Sequence, residues 1–388
     1  MSYDAVIVGA GPGGTAAALS LARRGLTNVL LLDRDGFPRD KTCGSGLSPT
    51  ALTVLDELGV GDEVRAQAYP IMQVRVVTPG GREMILASNA AAVVMLRREF
   101  DYLLVQRATS LGVKLETGFR ANELIKDGSG RVIGVRSLDG QERYGKYVLC
   151  ADGAHSIFSK DPRPKRSIST LMGWWENFDF TPGQLDMVFD PEVSPLYGWM
   201  FPETNDRVNI GICVDGQDDD GQKSMRPLRG VFQSFLDRQY GTQLKKARQL
   251  GKWKGHPIVY TTWVGHCTAP GSLFLGEAAR ITHNATGEGI SQAMQSGVFA
   301  AEAVQAALQG DEKGAWNRYV WQHRRRFTAG FLGGHALRAV VKTPLLDGVA
   351  RLYNNPSVRK TVVRLLGSAL AGTSVTDAQV DSVQRPAA

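Results

Sequence analysis

Cysteine is scarce in this chain of 388 residues, and Cys43, Cys150, Cys213 and Cys267 lie far apart without forming a Cys-x-x-Cys pair. Such spacing supports neither a disulfide framework nor a zinc site, so no metal is expected and a reducing compartment is. Long apolar runs are also missing. No stretch reaches the roughly 18 consecutive apolar residues of a spanning helix. The N-terminus lacks the basic region and cleavage motif of a secretory signal. The expected location is therefore the cytoplasm, with contact at a membrane face left open. The net charge of +7 comes without any recognised nucleic-acid-binding motif, so no nucleic-acid partner is expected. A nucleotide cofactor or an anionic membrane surface accounts for the charge more simply.

What is present begins at Tyr3. The run Ala5-Val6-Ile7-Val8 reads as a buried parallel strand that breaks at Gly9. Gly9-x-Gly11-x-x-Gly14, with Gly13 among them, then opens a helix of small residues. One glycine makes the tight turn, one lets backbone approach a pyrophosphate, and one lets helix and strand close together. Amides at the helix N-terminus carry the phosphate charge. A second apolar strand over 29–32 ends in Asp33, placed to grip ribose hydroxyls, with Arg34 beside it. This combination predicts a dinucleotide site. There is no second GxGxxG for a stably bound nicotinamide.

The loop 35–41 carries both signs of charge and ends in Lys41; it runs into Cys43-Gly44-Ser45-Gly46, small residues that suit a backbone lying flat against something planar. Cys43 is a candidate redox or proton-transfer group. Helices are expected over 50–58 and 95–111, the latter starting with Arg97 and Arg98, and a hairpin over 74–77 and 84–87. Strands follow over 113–115, 121–126, 132–137 and 143–149. The last runs into Cys150-Ala151-Asp152-Gly153, a second phosphate-approach site. His155, just beyond that turn, is expected to face solvent rather than act in catalysis.

Aromatic residues then cluster: Trp174, Trp175, Phe178, Phe180, Phe189, Tyr197, Trp199 and Phe201. Each ring buries about 150–250 Å², too much for exposed loops, and a sheet roofing a pocket is expected. Residues 208–214 alternate as a strand, 218–221 (Asp218, Asp219, Asp220, Gly221) read as a solvated turn, and 226–239 as a helix. A third nucleotide-type stretch ends in Gly276-Glu277, followed by Thr286-Gly287-Glu288-Gly289-Ile290 at the start of a small-residue helix over 291–308. Beyond Gly310 the chain turns helical and basic, with helices expected over 316–327, 336–342, 345–353 and 358–370. Their cationic faces allow peripheral membrane contact.

Taken together, the three glycine-containing elements resemble the glutathione-reductase-type flavoproteins of the aromatic hydroxylase superfamily, and within it the geranylgeranyl reductase family. The narrower likeness rests on Phe37-Pro38-Arg39-Asp40-Lys41-x-Cys43-Gly44-x-Gly46-Leu47-Ser48-Pro49 and on Tyr197-Gly198-Trp199-Met200-Phe201-Pro202, a complete YxWxFP signature, followed by Asn209-Ile210-Gly211-Ile212. The resemblance implies a Rossmann-type α/β FAD-binding domain from 1–70, 95–166 and 255–310. It also implies an inserted β-sheet substrate domain (71–94 and 167–254) and a C-terminal helical region (311–388).

It implies tightly bound FAD. Gly9, Gly11, Gly13, Gly14, Asp33 and Arg34 would hold the ADP half, and Lys41 and Arg97, or its neighbour Arg98, would add cationic contacts. Asp152, Gly153, Gly276 and Glu277 would bracket the pyrophosphate and ribityl chain. Gly287, Gly289 and Ile290 would face the flavin pyrimidine ring, and Cys43 and Gly44, the candidate catalytic positions, its other side. Trp174, Tyr197, Trp199, Phe201, Pro202 and Gly211 would line the substrate chamber. Here Glu277 replaces the family's usual Asp, and His283-Asn284-Ala285 stands where a proline often precedes the TGEG stretch. The implied activity is reduction of isoprenoid C=C bonds, with electrons from transient NAD(P)H or a carrier protein. A monooxygenase on the same scaffold is the alternative, then a flavin halogenase, whose WxWxIP signature is only partly matched here, and last a non-enzymatic flavin sensor.

Overall fold

A computed structural model describes residues 2–159, 166–216, 227–261 and 265–353, with 355, 357–359 and 361. The expected turn at 218–221, most of the expected helix 358–370 and the tail after it lie outside the described residues.

Two sheets share the chain. In the first, Thr268–Ala269, Ser272–Phe274, Glu142–Cys150, Ser2–Val8, Val29–Leu32 and Lys114–Glu116 stand in that order, parallel from Ser272–Phe274 onward. Val6, Ile7, Leu30 and Leu31 are fully buried, so these strands have no polar side to alternate with. Ala121–Lys126 and Val132–Ser137 extend the sheet with antiparallel strands at their expected bounds.

Register decides where the motifs go. Val8 pairs with Leu32 and with Cys150, and Cys150 pairs with Phe274. Gly9, Asp33, Asp152 and Gly276 therefore leave the sheet at one edge, the carboxyl ends of parallel strands, where open α/β sheets bind their ligands. Helix Pro12–Arg23 rises from that edge with proline in its first turn, and lies against helix Ile290–Leu308. A Cβ on Gly297 would meet the Gly13 carbonyl oxygen at 2.4 Å, so only glycine permits this approach.

The second sheet runs Arg248–Gln249, Arg166–Glu176, Val208–Asp215, Gly198–Pro202, Gln184–Val188, Tyr69–Val77, Glu83–Val94 and Gly46–Leu47, with Lys254–Tyr260 also paired to Arg166–Glu176. Alternation divides its side chains. Gly198 and Met200 face the helix Leu228–Leu244, against Phe235 and its neighbours, while Tyr197, Trp199 and Phe201 face the other way.

At the C-terminal end the two helices expected over 316–327 and 336–342 are one, Glu312–Val341. Its glycines do not break it. Each costs a helix about 1 kcal/mol relative to alanine, yet a Cβ on Gly334 would meet Asn284 Oδ1 at 1.9 Å. The helix keeps glycine so that it can lie on the 283–286 loop. His283 Nδ1 accepts from Thr286 N at 3.1 Å, and Arg338 Nη1 donates to Asn284 O at 3.0 Å.

Candidate active site

One cavity of about 1080 Å³ runs between the two sheets. That exceeds the roughly 300–1,000 Å³ of a pocket for one drug-sized ligand. It has room for a dinucleotide and a second molecule.

On the parallel-sheet side the glycines differ in what holds them. Gly9 has φ +100°, and a Cβ there would meet Ala151 O at 2.4 Å; a Cβ on Gly14 would meet Gly9 O at 1.9 Å. Both are required by the fold itself. Gly11 is different: a Cβ there would find no neighbour nearer than Arg39 Nη2 at 4.0 Å, and the position opens into the cavity. Asp33 is buried, its Oδ2 accepting from Ala10 N at 2.8 Å and its Oδ1 from Asp35 N at 3.0 Å. Its carboxylate thus braces the glycine turn while lining the cavity.

The cationic side chains are tied to one another. Arg97 makes a buried two-pronged pair with Asp101, Nε to Oδ1 and Nη2 to Oδ2, each 2.7 Å. Asp101 Oδ2 also takes Arg39 Nη1 at 3.2 Å, and Arg39 reaches Asp33 at 3.5 Å. Of the two arginines opening this helix, Arg97 is buried at the cavity and Arg98 is exposed. Burial, with the Arg97 charge nearby, lowers the Lys41 ammonium to about 8, while Glu277 and Cys43 pull the other way.

Two histidines complete this wall. His155 is exposed on its outer side, as expected, yet lines the cavity with its ring 5.6 Å from that of His256. Burial and the Lys41 charge lower His256 to about 4, so it is neutral at ordinary pH.

Among the described residues, four buried polar atoms on the cavity wall lack a partner within the protein: Arg39 Nε, Asp152 Oδ1, Thr282 Oγ1 and Glu288 Oε2. Burial raises the Asp152 carboxyl, a cost that a ligand hydroxyl would relieve. Gly153, Gly276, Glu277, Gly287, Gly289, Ile290 and Arg34 line the same space.

Opposite stands the aromatic face. Tyr197, Trp199 and Phe201 follow one another at ring separations of 6.3 and 6.1 Å. Trp199 Nε1 donates to Asn209 Oδ1 at 2.8 Å, and the Tyr197 hydroxyl donates to Thr286 O. The small residues of the Cys43–Ser45 loop are explained here. A Cβ on Gly44 would press on Trp199 Nε1 at 3.2 Å and Phe201 at 3.3 Å, so glycine lets this loop lie on the rings.

Four expected site residues do not line the cavity. Gly14 is spent on the turn. Pro202 falls on the opposite face of its strand, one position out of phase with Phe201. Gly211 lies beneath Trp199, where a Cβ would meet the indole at 2.2 Å, and so seats the ring rather than touching a ligand. Trp174 points along the correct face but its Nε1 donates to Glu203 Oε1 at 2.9 Å beyond the cavity's rim. Conversely His256 and Thr282 line the cavity without belonging to any of the motifs. Among the described residues no group of three or more His, Cys, Asp or Glu could hold a metal ion.

A glycine-turn α/β sheet facing an aromatic sheet across one large cavity is the frame of a dinucleotide-binding enzyme. The chain belongs to the FAD binding domain family, whose model matches residues 2–329, and is an FAD-dependent oxidoreductase similar to geranylgeranyl reductases. It is 27% identical to a menaquinone reductase of Mycolicibacterium smegmatis, over 98% of this chain and 94% of that protein. It is also 27% identical to a digeranylgeranylglycerophospholipid reductase of Thermoplasma acidophilum, over 80% of each. In fold it matches a geranylgeranyl bacteriochlorophyll reductase-like protein of the same organism, with a TM-score of 0.80 at 22% identity over 95% of this chain and 98% of that one.

Proposed function

We propose that this protein is an FAD-dependent reductase that saturates carbon–carbon double bonds of an isoprenoid or similarly hydrophobic substrate. The observation that carries the reading is the single cavity joining the glycine-turn edge to the Tyr197–Trp199–Phe201 wall. The names of the relatives, reductases of a quinone and of geranylgeranyl lipids, support it.

The parallel sheet reads as a glutathione-reductase-type Rossmann unit. The N-terminal amides of helix Pro12–Arg23 and the open Gly11 position would take the pyrophosphate. Asp33 and Arg34 would hold the adenosine end, Arg39 and Lys41 would add positive charge, and Asp152, Thr282 and Glu277 would accept or donate along the ribityl chain. Gly287, Gly289 and Ile290, at the start of helix Ile290–Leu308, would bring positive dipole to the ring. When bound, FAD supplies the hydride, replenished by NAD(P)H or a carrier protein.

The protein's own part is position, dryness and a proton. An isolated alkene accepts hydride poorly, so its alignment supplies much of the rate. Tyr197, Trp199 and Phe201 would clasp the chain and exclude water. Cys43 lines the cavity beside Arg97, whose guanidinium donates a hydrogen bond to its sulfur, and its thiol is the group we assign to proton delivery. The test is extraction and mass spectrometry of the small molecules that co-purify. FAD with a prenylated quinone or lipid supports the reading; a nucleotide without flavin, or a polar ligand in the aromatic chamber, contradicts it.

A further inference from the structure

The chain's positive charge is concentrated in one place. Residues 312–352 contain eight lysines and arginines against two acids, a net +6, whereas the whole chain carries +7. These residues form the helices Glu312–Val341 and Leu345–Leu352. They also carry four of the large apolar side chains most open to solvent: Trp321 at 56%, Leu332 at 64%, Leu345 at 57% and Leu352 at 61%.

The arrangement is regular. Trp321 and Leu332 are eleven residues apart, three helical turns, and share one stripe with the exposed Arg318 and Arg325. The Arg325 guanidinium lies 5.1 Å above the Trp321 ring. Leu345 and Leu352, seven apart, share a face of the second helix, next to the exposed Arg351. Apolar side chains scattered singly on a surface need no explanation. Large ones repeated along two consecutive helices, each interleaved with cations, do.

The inner faces of the same helices matter equally. Leu337, Val341, Leu346 and Tyr353 belong to the apolar cluster that contains Tyr197 and Trp199. The Tyr353 hydroxyl donates to Ile85 O at 2.9 Å, and Asp347 accepts from Gly80 N at 3.0 Å, so the second helix is fastened to the substrate-side sheet. None of the helices among the described residues is long and apolar enough to cross a membrane.

We propose that the outer face of these two helices is a docking surface for an anionic lipid bilayer, with Trp321, Leu332, Leu345 and Leu352 entering the headgroup–acyl boundary and Arg324, Arg325 and Arg351 meeting lipid phosphates. Naked polyanions such as nucleic acid would match the charge but leave the tryptophan and leucines in water. The inference stands on the surface alone and survives a change of substrate.

The test is flotation of the full, flavin-loaded chain with two sets of vesicles, pure phosphatidylcholine and phosphatidylcholine with roughly a third phosphatidylglycerol. Binding to the anionic vesicles only, weakened by salt, is expected. Arg324→Glu with Arg325→Glu should lower it about thirtyfold or more. Trp321→Ser with Leu345→Ser should lower it about tenfold while leaving flavin content and melting temperature unchanged. Equal binding to neutral vesicles, no binding to either, indifference to both double variants, or a dimer in solution that buries Trp321 would each overturn the proposal.

Discussion

Asn209 ties Trp199 to the neighbouring strand: its Oδ1 accepts from the indole Nε1 at 2.8 Å while its Nδ2 donates to Gly173 O at 3.0 Å. Both residues are buried. The largest ring of the aromatic wall is therefore fixed in tilt by one amide and seated by the missing side chain of Gly211.

Replacing Asn209 with alanine should strand a buried indole donor, at a cost of about 1–3 kcal/mol in unfolding free energy. Bound flavin should remain, and KM for the hydrophobic substrate should rise about tenfold with a smaller change in kcat. Denaturant melts and steady-state kinetics check this together. Loss of flavin with KM unchanged would place Trp199 in the cofactor site instead.

The glycine turn offers a contrast between two neighbouring positions. A Cβ at Gly11 enters the cavity with no protein atom closer than Arg39 Nη2 at 4.0 Å, whereas one at Gly14 collides with Gly9 O. Gly11→Val should therefore give a folded, colourless protein whose melting temperature equals that of the flavin-free parent. Gly14→Val should fail to fold or melt far lower. A yellow Gly11→Val protein, seen in its absorption spectrum, would refute the assignment of this turn to the cofactor.

Asp101 is the hinge of the cationic wall, taking Arg97 in two hydrogen bonds and Arg39 in a third contact. An exposed ion pair contributes little, but removing one partner of a buried pair leaves an uncompensated charge. Asp101→Ala should cost about 3–5 kcal/mol, measurable in urea. A change below about 1 kcal/mol would mean that water reaches Arg97 freely.

Acid should weaken the fold through its buried histidines. Burial lowers His283 and His323 to about 4, against 6.5 for an exposed ring. The unfolded chain then takes up the proton first, so this stability is complete above pH 6.5 and is lost as pH falls toward 4. By pH 5 each histidine should have cost on the order of 1–2 kcal/mol. Urea titrations at pH 7 and pH 5 measure the difference; because burial lowers His256 to about 4 as well, His323→Leu should remove about a third of it. Equal stability at the two values would show that both rings are hydrated.

Much of this was open to reading from residue order because it is local. A strand, a glycine turn and a helix of small residues follow one another within Tyr3 to Arg23, and two further strands run directly into Asp152-Gly153 and Gly276-Glu277. The inward triplet Tyr197, Trp199 and Phe201 was equally local, and period-two alternation already separates Pro202 from it. What escaped was made by register. Thr170 pairs with His256, which carries that histidine into the cavity wall, and no spacing within 254–260 announces it. Asp101 meets Arg39 only after the loop 34–42 folds back on helix Arg97–Ser110. The single helix Glu312–Val341 in place of two escaped for a similar reason: Gly330 and Gly334 lower its local propensity, but their close packing on His283 and Asn284, remote in the chain, outweighs that loss.

Reduction without oxygen is the claim on which the rest turns. The flavin-loaded protein should be reduced under anaerobic conditions and mixed with a geranylgeranyl lipid or a menaquinone, with flavin absorbance followed and the organic phase analysed by mass spectrometry. The account predicts reoxidation of the flavin in step with a product carrying two more hydrogens for each turnover. Product that forms only after oxygen is admitted, and that carries an added oxygen atom, would contradict it.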